Sequence, residues 1–547
     1  MGRFATHIGR LAAACLVAAL CCAPWLAPSL VWCGWLGVAG ALALAVSLPP
    51  RAGMAWMLAL YGMAVTAAFH WAPSVLAQTM RAGYGWGAAV FVPLVLWEAA
   101  RAALPFWLAA RIVLGQPLFN GLTRSQLRPD AQLPLTAAWW PAALAAVVLE
   151  SVTPSVFPWR FGQMQIAWPL TIQAVDLFGA QWSTVMEFAH AGAVLCVATA
   201  FVDAVRSRRL AAPLRRLSRS GPVWLCAVNL LYGAAAMSYW SRQARLAPSR
   251  RVALVQVDPT YQSSAETMLR LTQSVAGKVD LVCWPESSGG NYRADLDRLS
   301  DSRRVFELSR NPQRGLRPWP RPTCPLLLGG QTFRGDNRHP SELYQSAILL
   351  DRQERIVGRY HKRLLMPFGE YVPGKGWIPG IGRLFPLREV IVRGREATVL
   401  TADGNARLGV MICYEDMHPE IARSLVANSA NLLCSLINGA SFGNPLTLRQ
   451  HRLLAQLRAV EFRRYHLRAS STGETCVISP VGRVAARLPL QTAGILTAKV
   501  ALLDARTLAC WTGGVFPWVC CLLLLRLLGR QNYSDYSDYS DGRSAGM

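Results

Sequence analysis

Glu286, Lys362 and Cys413 together form a set that could carry out acyl transfer without a metal or cofactor. Glu286 ends the run VDLVCWPE, Lys362 lies in GRYHKRLLMPFGEYVP, and Cys413 stands near the end of RLGVMICYE. A cysteine nucleophile needs a proton acceptor and a positive neighbour to favour its thiolate. A carboxylate can be that acceptor when partial burial raises its affinity for the proton. An ammonium steadies both the thiolate and the oxyanion of a tetrahedral intermediate. Lys362 is one of only 4 Lys beside 52 Arg, which fits a place where a compact ammonium is required and a planar guanidinium would not serve.

Each residue also has a plainer reading. Cys413 alone could be a small core hydrophobe, Glu286 a helix cap or surface acid, and Lys362, between Arg359 and Arg363, part of a solvated face. His361 could instead pair with Cys413 as a dyad. The joint pattern is more specific than any one member. The 8 His form neither an HExxH nor a Cys/His zinc spacing, so no metal site and no cofactor are expected.

The elements that must position the three groups lie in 250–503. RVALVQV, VDLVCWPE, PLLLGGQ, SAILLD, RLGVMICYE and NLLCSLIN read as buried strands. Segments 263–277, 295–309, 417–428 and 446–466 read as amphipathic helices. Strands alternating with helices predict a layered α/β fold, in which catalytic groups gather where strands end and open to a cleft.

The rest of the chain has another character. Of 547 residues, 52% are hydrophobic and 16% charged, against roughly 25% charged in an ordinary soluble chain. That excludes a disordered or collagen-like protein. The formal net charge is +25, but the basic residues sit between apolar runs, so they read as membrane-flanking charge and no nucleic-acid partner is expected. The 14 Cys do not suggest a disulfide framework in so long a chain.

A span needs roughly 20 mostly apolar residues. Candidates fall at 9–27, 30–48, 54–74, 85–110, 134–152, 184–204, 222–240 and 507–528, about eight transmembrane helices in all. The first could instead be a signal peptide, since Arg3 and Arg10 precede its apolar core. The six Arg of RSRRLAAPLRRLSR (206–219) anchor the cytoplasmic side, and 250–503 falls outside. The expected division is a membrane bundle over 1–245, a catalytic domain over 250–503, a last span over 507–528 and a disordered tail over 529–547. Glu150, Asp176, Glu187, His190 and Asp203 lie in or beside predicted spans, where ionisable groups are functional candidates.

WPES, HKRLLMPFGEYVP and ICYED, in that order, resemble the nitrilase superfamily and its Glu-Lys-Cys triad. With the preceding spans, PFGEYVP is similar to the membrane-embedded branch of that superfamily, the apolipoprotein N-acyltransferases. The likeness extends to FPWRFGQMQIAWPLTIQAVDLFGAQW (157–182), to 343–363 and to 450–484. It implies a four-layer αββα sandwich on a membrane bundle. It further implies Cys413 as nucleophile, Glu286 as general base and acid, and Lys362 as oxyanion stabiliser. Glu370 and Glu415 match further acids of the family that support the site, although a structural ion pair with neighbouring Arg is the other reading.

The implied donor is a phospholipid, and the implied acceptor is the amine of diacylglyceryl-cysteine on an apolipoprotein. Membrane lipids are expected partners. The chain is expected to be a monomer in a bacterial inner membrane with its catalytic domain periplasmic. A membrane-bound amidase, an acyltransferase with another acceptor and a non-catalytic scaffold are the rivals.

The stretch GWIPGIGRLFPL (376–387) exposes Trp377, Ile378, Ile381, Leu384 and Phe385 among Gly and Pro. It reads as a lid that dips into lipid, with Trp377 and Phe385 as substrate contacts, or as a loop packed on its own domain. Two segments depart from the family pattern. Asn438-Gly439-Ala440-Ser441-Phe442-Gly443 stands where the family usually reads Asn-Asp-x-Trp-Phe-Gly, and QVDPTYQSS lacks the family's usual Gly-Asn.

Overall fold

The computed structural model describes residues 2–114, 135–257, 264–288, 291–293, 324–335, 340–353, 355–387 and 390–541. The expected helix at 295–309 and most of QVDPTYQSS lie outside these residues. The chain divides into two compact units. One gathers the described residues of Met1–Ala72, Ala88–Ala235 and Trp511–Met547; the other holds Pro73–Gly87 and Ala236–Cys510. These cuts differ from the sequence-based boundaries by moving 73–87 and the end of the 221–246 helix into the second unit.

The first unit is helical. Among the described residues, five helices are long and apolar enough to cross a membrane: Ile8–Leu26, Tyr84–Val113, Leu135–Val152, Trp182–Ser207 and Gly221–Leu246. A bent pair, Arg51–Ala68 with Ala72–Met80, makes a sixth if it is one span. Val31–Ser47 and Phe516–Gly529 are apolar but shorter. Of the eight candidate spans, five or six therefore fall on helices long enough to cross, while 30–48 and 507–528 meet only the two shorter apolar helices, the last beginning at Phe516.

Small residues let these helices approach closely. A Cβ on Gly37 would stand 2.8 Å from the backbone N of Cys21. Leu144, Ala145 and Val147 pack with Val185, Cys520 and Leu524, which joins three of the helices in one core. The last helix runs Phe516–Asp541, whereas disorder was expected from 529. Its apolar part ends at Gly529, and extending a helix that is already nucleated costs little per residue.

The second unit contains two sheets. In chain order the strands are β1 (Ser249–Gln256), β2 (Leu281–Cys283), β3 (Asn291–Arg293), β4 (Leu326–Gly335), β5 (Pro340–Leu350), β6 (Ile356–His361), β7 (Val399–Ala402), β8 (Ala406–Ile412), β9 (Leu432–Ile437), β10 (His466–Ser470), β11 (Cys476–Ile478), β12 (Val484–Arg487) and β13 (Gly494–Ala501). One sheet has the order β13-β1-β2-β4-β5-β6, with β3 paired to β4; the other has the order β12-β11-β10-β9-β8-β7. The pairs β1–β2, β2–β4 and β3–β4 are parallel, as are β8–β9 and β9–β10, while the remaining pairs are antiparallel.

Alternation along these strands explains the layering. Val252, Leu254, Leu281, Leu327 and Leu349 of the first sheet share a core with Leu408, Val410, Ile412, Leu433 and Leu467 of the second. On the opposite face of the first sheet, Ala253, Val255, Val282, Leu326 and Ile348 pack with Met268 of the helix Ser264–Ser274. Ile421, Ala422 and Leu425, from the helix Pro419–Ala427, cover the second sheet. Strands buried on both faces read as continuous apolar runs, and helix–sheet–sheet–helix is the resulting architecture.

Candidate active site

Glu286, Lys362 and Cys413 each follow the C-terminal end of a strand: β2, β6 and β8. These ends meet. Lys362 Nζ lies 3.8 Å from Glu286 Oε1, and the Cys413 thiol donates to the Glu286 carboxylate. All three side chains are buried, with Cys413 8% exposed.

Backbone geometry fixes each group. Lys362 N donates to Gln345 O at 2.8 Å, and Gly394 N donates to Lys362 O at 2.8 Å, so the Lys362 backbone is held from both sides. Gly329 of β4 makes room for Glu286, because a Cβ there would stand 2.6 Å from the Glu286 Cα. Asn438 N, at the end of β9, donates to Glu286 Oε2 at 3.0 Å, and Gln345 Nε2 donates to Glu286 Oε1 at 3.3 Å. Cys413 has φ of +52°, in the left-handed region that side chains seldom occupy. Such backbone costs on the order of 1–3 kcal/mol and is held only by its surroundings. Ser287, next to Glu286, has φ of +58°, so two adjoining corners of the site share this geometry.

The holding group at Cys413 is Glu415. Its carboxylate is fully buried and accepts from Ile412 N at 2.8 Å, Arg363 N at 2.7 Å and Leu364 N at 3.1 Å. It also accepts from the Tyr360 hydroxyl at 2.9 Å. One side chain therefore ties the turn at Cys413 to the segment that carries Lys362. Glu370 accepts from Lys362 Nζ at 2.7 Å and from Met366 N at 2.7 Å. Neither acid pairs with an Arg side chain among these contacts. Each orients part of the triad.

Burial sets the electrostatics. It raises the Glu286 carboxyl above its ordinary range; the Lys362 ammonium works against this shift and the Glu370 charge adds to it. Burial alone would lower the Lys362 ammonium, but Glu370 and Glu286 outweigh it and hold the charge in place. Burial and the Glu286 charge keep the Cys413 thiol well above its ordinary value, against Lys362. The resting pair is a neutral thiol donating to a carboxylate.

Other predicted residues are placed differently. Trp377 is 91% exposed, with Ile378 and Leu384 exposed beside it. Phe385 corrects the expectation of exposure: it is 5% exposed and its ring lies 4.6 Å from that of Phe368. Phe385 thus has a partner ring, while Trp377 has none among the described residues. His361 makes other contacts: its Nδ1 lies 2.8 Å from Ser346 Oγ, and its ring lies tilted 4.6 Å from that of Tyr344.

Sequence reasoning missed Gln345, Tyr360 and Asn438, which hold the carboxylates. Gln345 and Tyr360 lie inside the 343–363 stretch already singled out, but nothing in their type marks them as partners. It also missed Asp416, fully buried between His451 Nε2 at 2.6 Å and Arg468 Nε at 3.0 Å. Burial opposes ionisation of Asp416, but His451 and Arg468 outweigh it and hold the carboxyl far below its ordinary range.

Residues 251–509 match the family model for carbon-nitrogen hydrolases. An apolipoprotein N-acyltransferase of Azotobacter vinelandii is 30% identical over 84% of this chain and 83% of its own length. The chain belongs to the apolipoprotein N-acyltransferase family. The family's enzyme from Pseudomonas aeruginosa PAO1 is 28% identical over 92% of this chain and 88% of its own. That of Geobacter metallireducens is 31% identical over 48% of each chain, so this chain spans about half of that relative. Among solved structures, Nit3 of Saccharomyces cerevisiae, a member of branch 10 of the nitrilase superfamily, is 19% identical. It covers 46% of this chain and 90% of its own, with a TM-score of 0.33, and so slight a likeness carries nothing further. As an N-acyltransferase family member the chain is an enzyme of the nitrilase superfamily with a helical membrane part.

Proposed function

We propose that this N-acyltransferase moves a fatty acyl chain from a phospholipid to the amine of diacylglyceryl-cysteine on an apolipoprotein, in two half-reactions through a Cys413 thioester. The observation that carries the reading is the meeting of a thiol, a carboxylate and an ammonium at three strand ends, in a buried cluster.

In the first half-reaction Glu286 takes the thiol proton as Cys413 Sγ attacks the ester carbonyl. The ester oxygen becomes an oxyanion, which Lys362 stabilises. Collapse breaks the C–O bond. The departing lysophospholipid oxygen takes the proton back from Glu286. In the second, the acceptor's amine attacks the thioester carbonyl and gives up a proton to Glu286. The C–S bond then breaks, an amide is left on the acceptor, and the proton returns to Cys413. Atoms and protons balance with no cofactor.

Both substrates are lipid-anchored, and the exposed Trp377, Ile378 and Leu384 support a loop that enters the lipid surface beside the site. Phe385 supports that loop from beneath, through Phe368. The protein acts as a monomer in the bacterial inner membrane with its catalytic unit on the periplasmic side. The six Arg of 206–219 support this orientation. Reporter fusions after residues 215 and 300 are expected on opposite sides of the membrane.

Purified protein incubated with acyl-labelled phospholipid is expected to carry a hydroxylamine-sensitive label on Cys413, discharged by a diacylated lipopeptide. Release of free fatty acid with no N-acyl product would show a hydrolase instead. No label on Cys413 would overturn the thioester route.

A further inference from the structure

Two buried acids stand side by side in the turn Cys413–Met417, and they hold it from different directions. Glu415 reaches Ile412, Tyr360, Arg363 and Leu364. Asp416 reaches the other flank: its Oδ1 lies 2.6 Å from His451 Nε2, and its Oδ2 accepts from Arg468 Nε at 3.0 Å. His451 belongs to the helix Pro445–Phe462 and Arg468 to β10, and both are buried. An ionised carboxylate can only accept, so His451 Nε2 carries the proton that joins the two.

A buried ion pair is an expensive way to hold a turn, because packed apolar groups often serve as well. Two features ask for more than packing. The first is conformation. Cys413 has φ of +52°, which persists only where the surroundings over-determine it. Glu415 pins the turn to the segment after β6, and Asp416 supplies a second anchor in β10 and the helix Pro445–Phe462. The second feature is charge. The thiol faces Glu286, Glu370 and Asp416 as negative groups and Lys362 as a positive one. Asp416 in turn faces His451, Arg468 and His466. A like charge near a thiol disfavours its thiolate.

We infer that Asp416 is a positioning residue for acyl transfer: with His451 and Arg468 it clamps the turn at Cys413 from the flank that Glu415 does not hold, and it places a fixed negative charge near the thiol. The inference rests on Cys413 as the nucleophile of the reaction proposed above. Asp416 touches no reacting atom. It acts through the place of the sulfur and through the field there, so removing it should misplace the attack and at the same time make the thiol easier to ionise.

Two readouts on the full chain in detergent test this. One is single-turnover acylation of Cys413 from acyl-labelled phospholipid. The other is alkylation of Cys413 by iodoacetamide, read by peptide mass spectrometry from about pH 8 upward, where thiols begin to ionise. Asp416→Asn is expected to slow acylation on the order of 10- to 100-fold, the scale of a small misplacement. Its alkylation profile is expected to move to lower pH, because a negative charge is gone and Arg468 is left unpaired. A merely structural role would speed alkylation at every pH and leave the midpoint where it is, which would overturn the inference. His451→Leu removes one partner and is expected to slow acylation about tenfold, the scale of one charge-assisted hydrogen bond. His451→Gln, whose Nε2 can donate to the same oxygen, is expected to restore most of the rate, and this pair decides the matter if Asp416→Asn fails to fold. Wild-type acylation in Asp416→Asn or His451→Leu, or no rescue by Gln, would also overturn it. No acyl label on wild-type Cys413 would refute the thioester reading instead; the shifted alkylation midpoint would still uphold the charge at the thiol, because alkylation needs no lipid.

Discussion

The Lys362 ammonium gives its short hydrogen bond, 2.7 Å, to Glu370 and stands 3.8 Å from Glu286. The charge is thereby anchored on Glu370, while Glu286 is the acid that the proposed mechanism has exchange a proton with Cys413. In that proposal two carboxylates around one ammonium divide the work of holding a cation and of moving a proton.

Lys362→Arg follows from that division. A guanidinium keeps the charge, but its planar fork cannot occupy a fully enclosed point site. Turnover is expected to fall by at least about 100-fold, the scale of losing one oxyanion donor, with folding retained by circular dichroism. Near-wild-type turnover in the lipopeptide assay would remove Lys362 from the oxyanion role.

Glu286→Gln keeps the shape and loses the base. Thioester formation is expected to fall by about 10²–10⁴, the usual scale of general-base loss, measured as labelled Cys413 in a single turnover. In the wild type, burial first and Glu370 next raise the Glu286 carboxyl. The acid limb of the rate profile should therefore lie above the ordinary carboxylate range, with activity lost as pH falls through it. Stable acylation of Cys413 at the wild-type rate in this variant would show another base.

Glu415 is a positioning residue. Glu415→Gln retains an acceptor oxygen but places an NH2 either against Ile412 N–H or against the N–H groups of Arg363 and Leu364, so buried donors are left unpaired. A loss of about 3–5 kcal/mol is expected, as when one partner of a buried charged network is removed. Tyr360→Phe removes only one donor and should cost about 1–2 kcal/mol. Denaturant unfolding checks both, and a neutral Glu415→Gln would show that the turn holds itself.

His466 gives the catalytic unit an acid-sensitive spot. Its Nδ1 lies 3.2 Å from Ala455 O and its Nε2 2.6 Å from Ser435 Oγ, which suits a neutral ring. Burial lowers it from 6.5 to about 4. The unfolded chain binds this proton near pH 6.5 and the folded one only near pH 4, so stability is full above 6.5 and is lost as pH falls towards 4. The loss is about 3 kcal/mol by the linkage constant of 1.36 kcal/mol per unit. Melting curves between pH 7 and 4 should show the slope, and His466→Gln should flatten it.

The strands that carry the chemistry were legible because they are buried on both faces: Val252–Val255 and Leu408–Ile412 announce themselves as unbroken apolar runs. β6, β10, β12 and β13 were not, since charged or small residues interrupt them, as in IVGRYH and HLRAS. Arg468 in β10 is buried because Asp416 receives it, a pairing no local pattern contains. The convergence of Glu286, Lys362 and Cys413 could be expected because three chemistry-bearing groups stand at strand ends. Gln345, Tyr360 and Asn438 could not, because their roles depend on which backbone N–H or carboxylate comes to face them. Phe385 was misjudged for a similar reason: exposure was inferred from its Gly- and Pro-rich neighbours, and Phe368 covers it.

Cys413 occupies a backbone conformation that glycine adopts freely and cysteine does not. Replacing it with glycine should relieve that conformation and make the protein harder to melt while leaving it inert. At this one position the best residue for persistence and the best residue for turnover are different, so selection for durability alone would erase the enzyme.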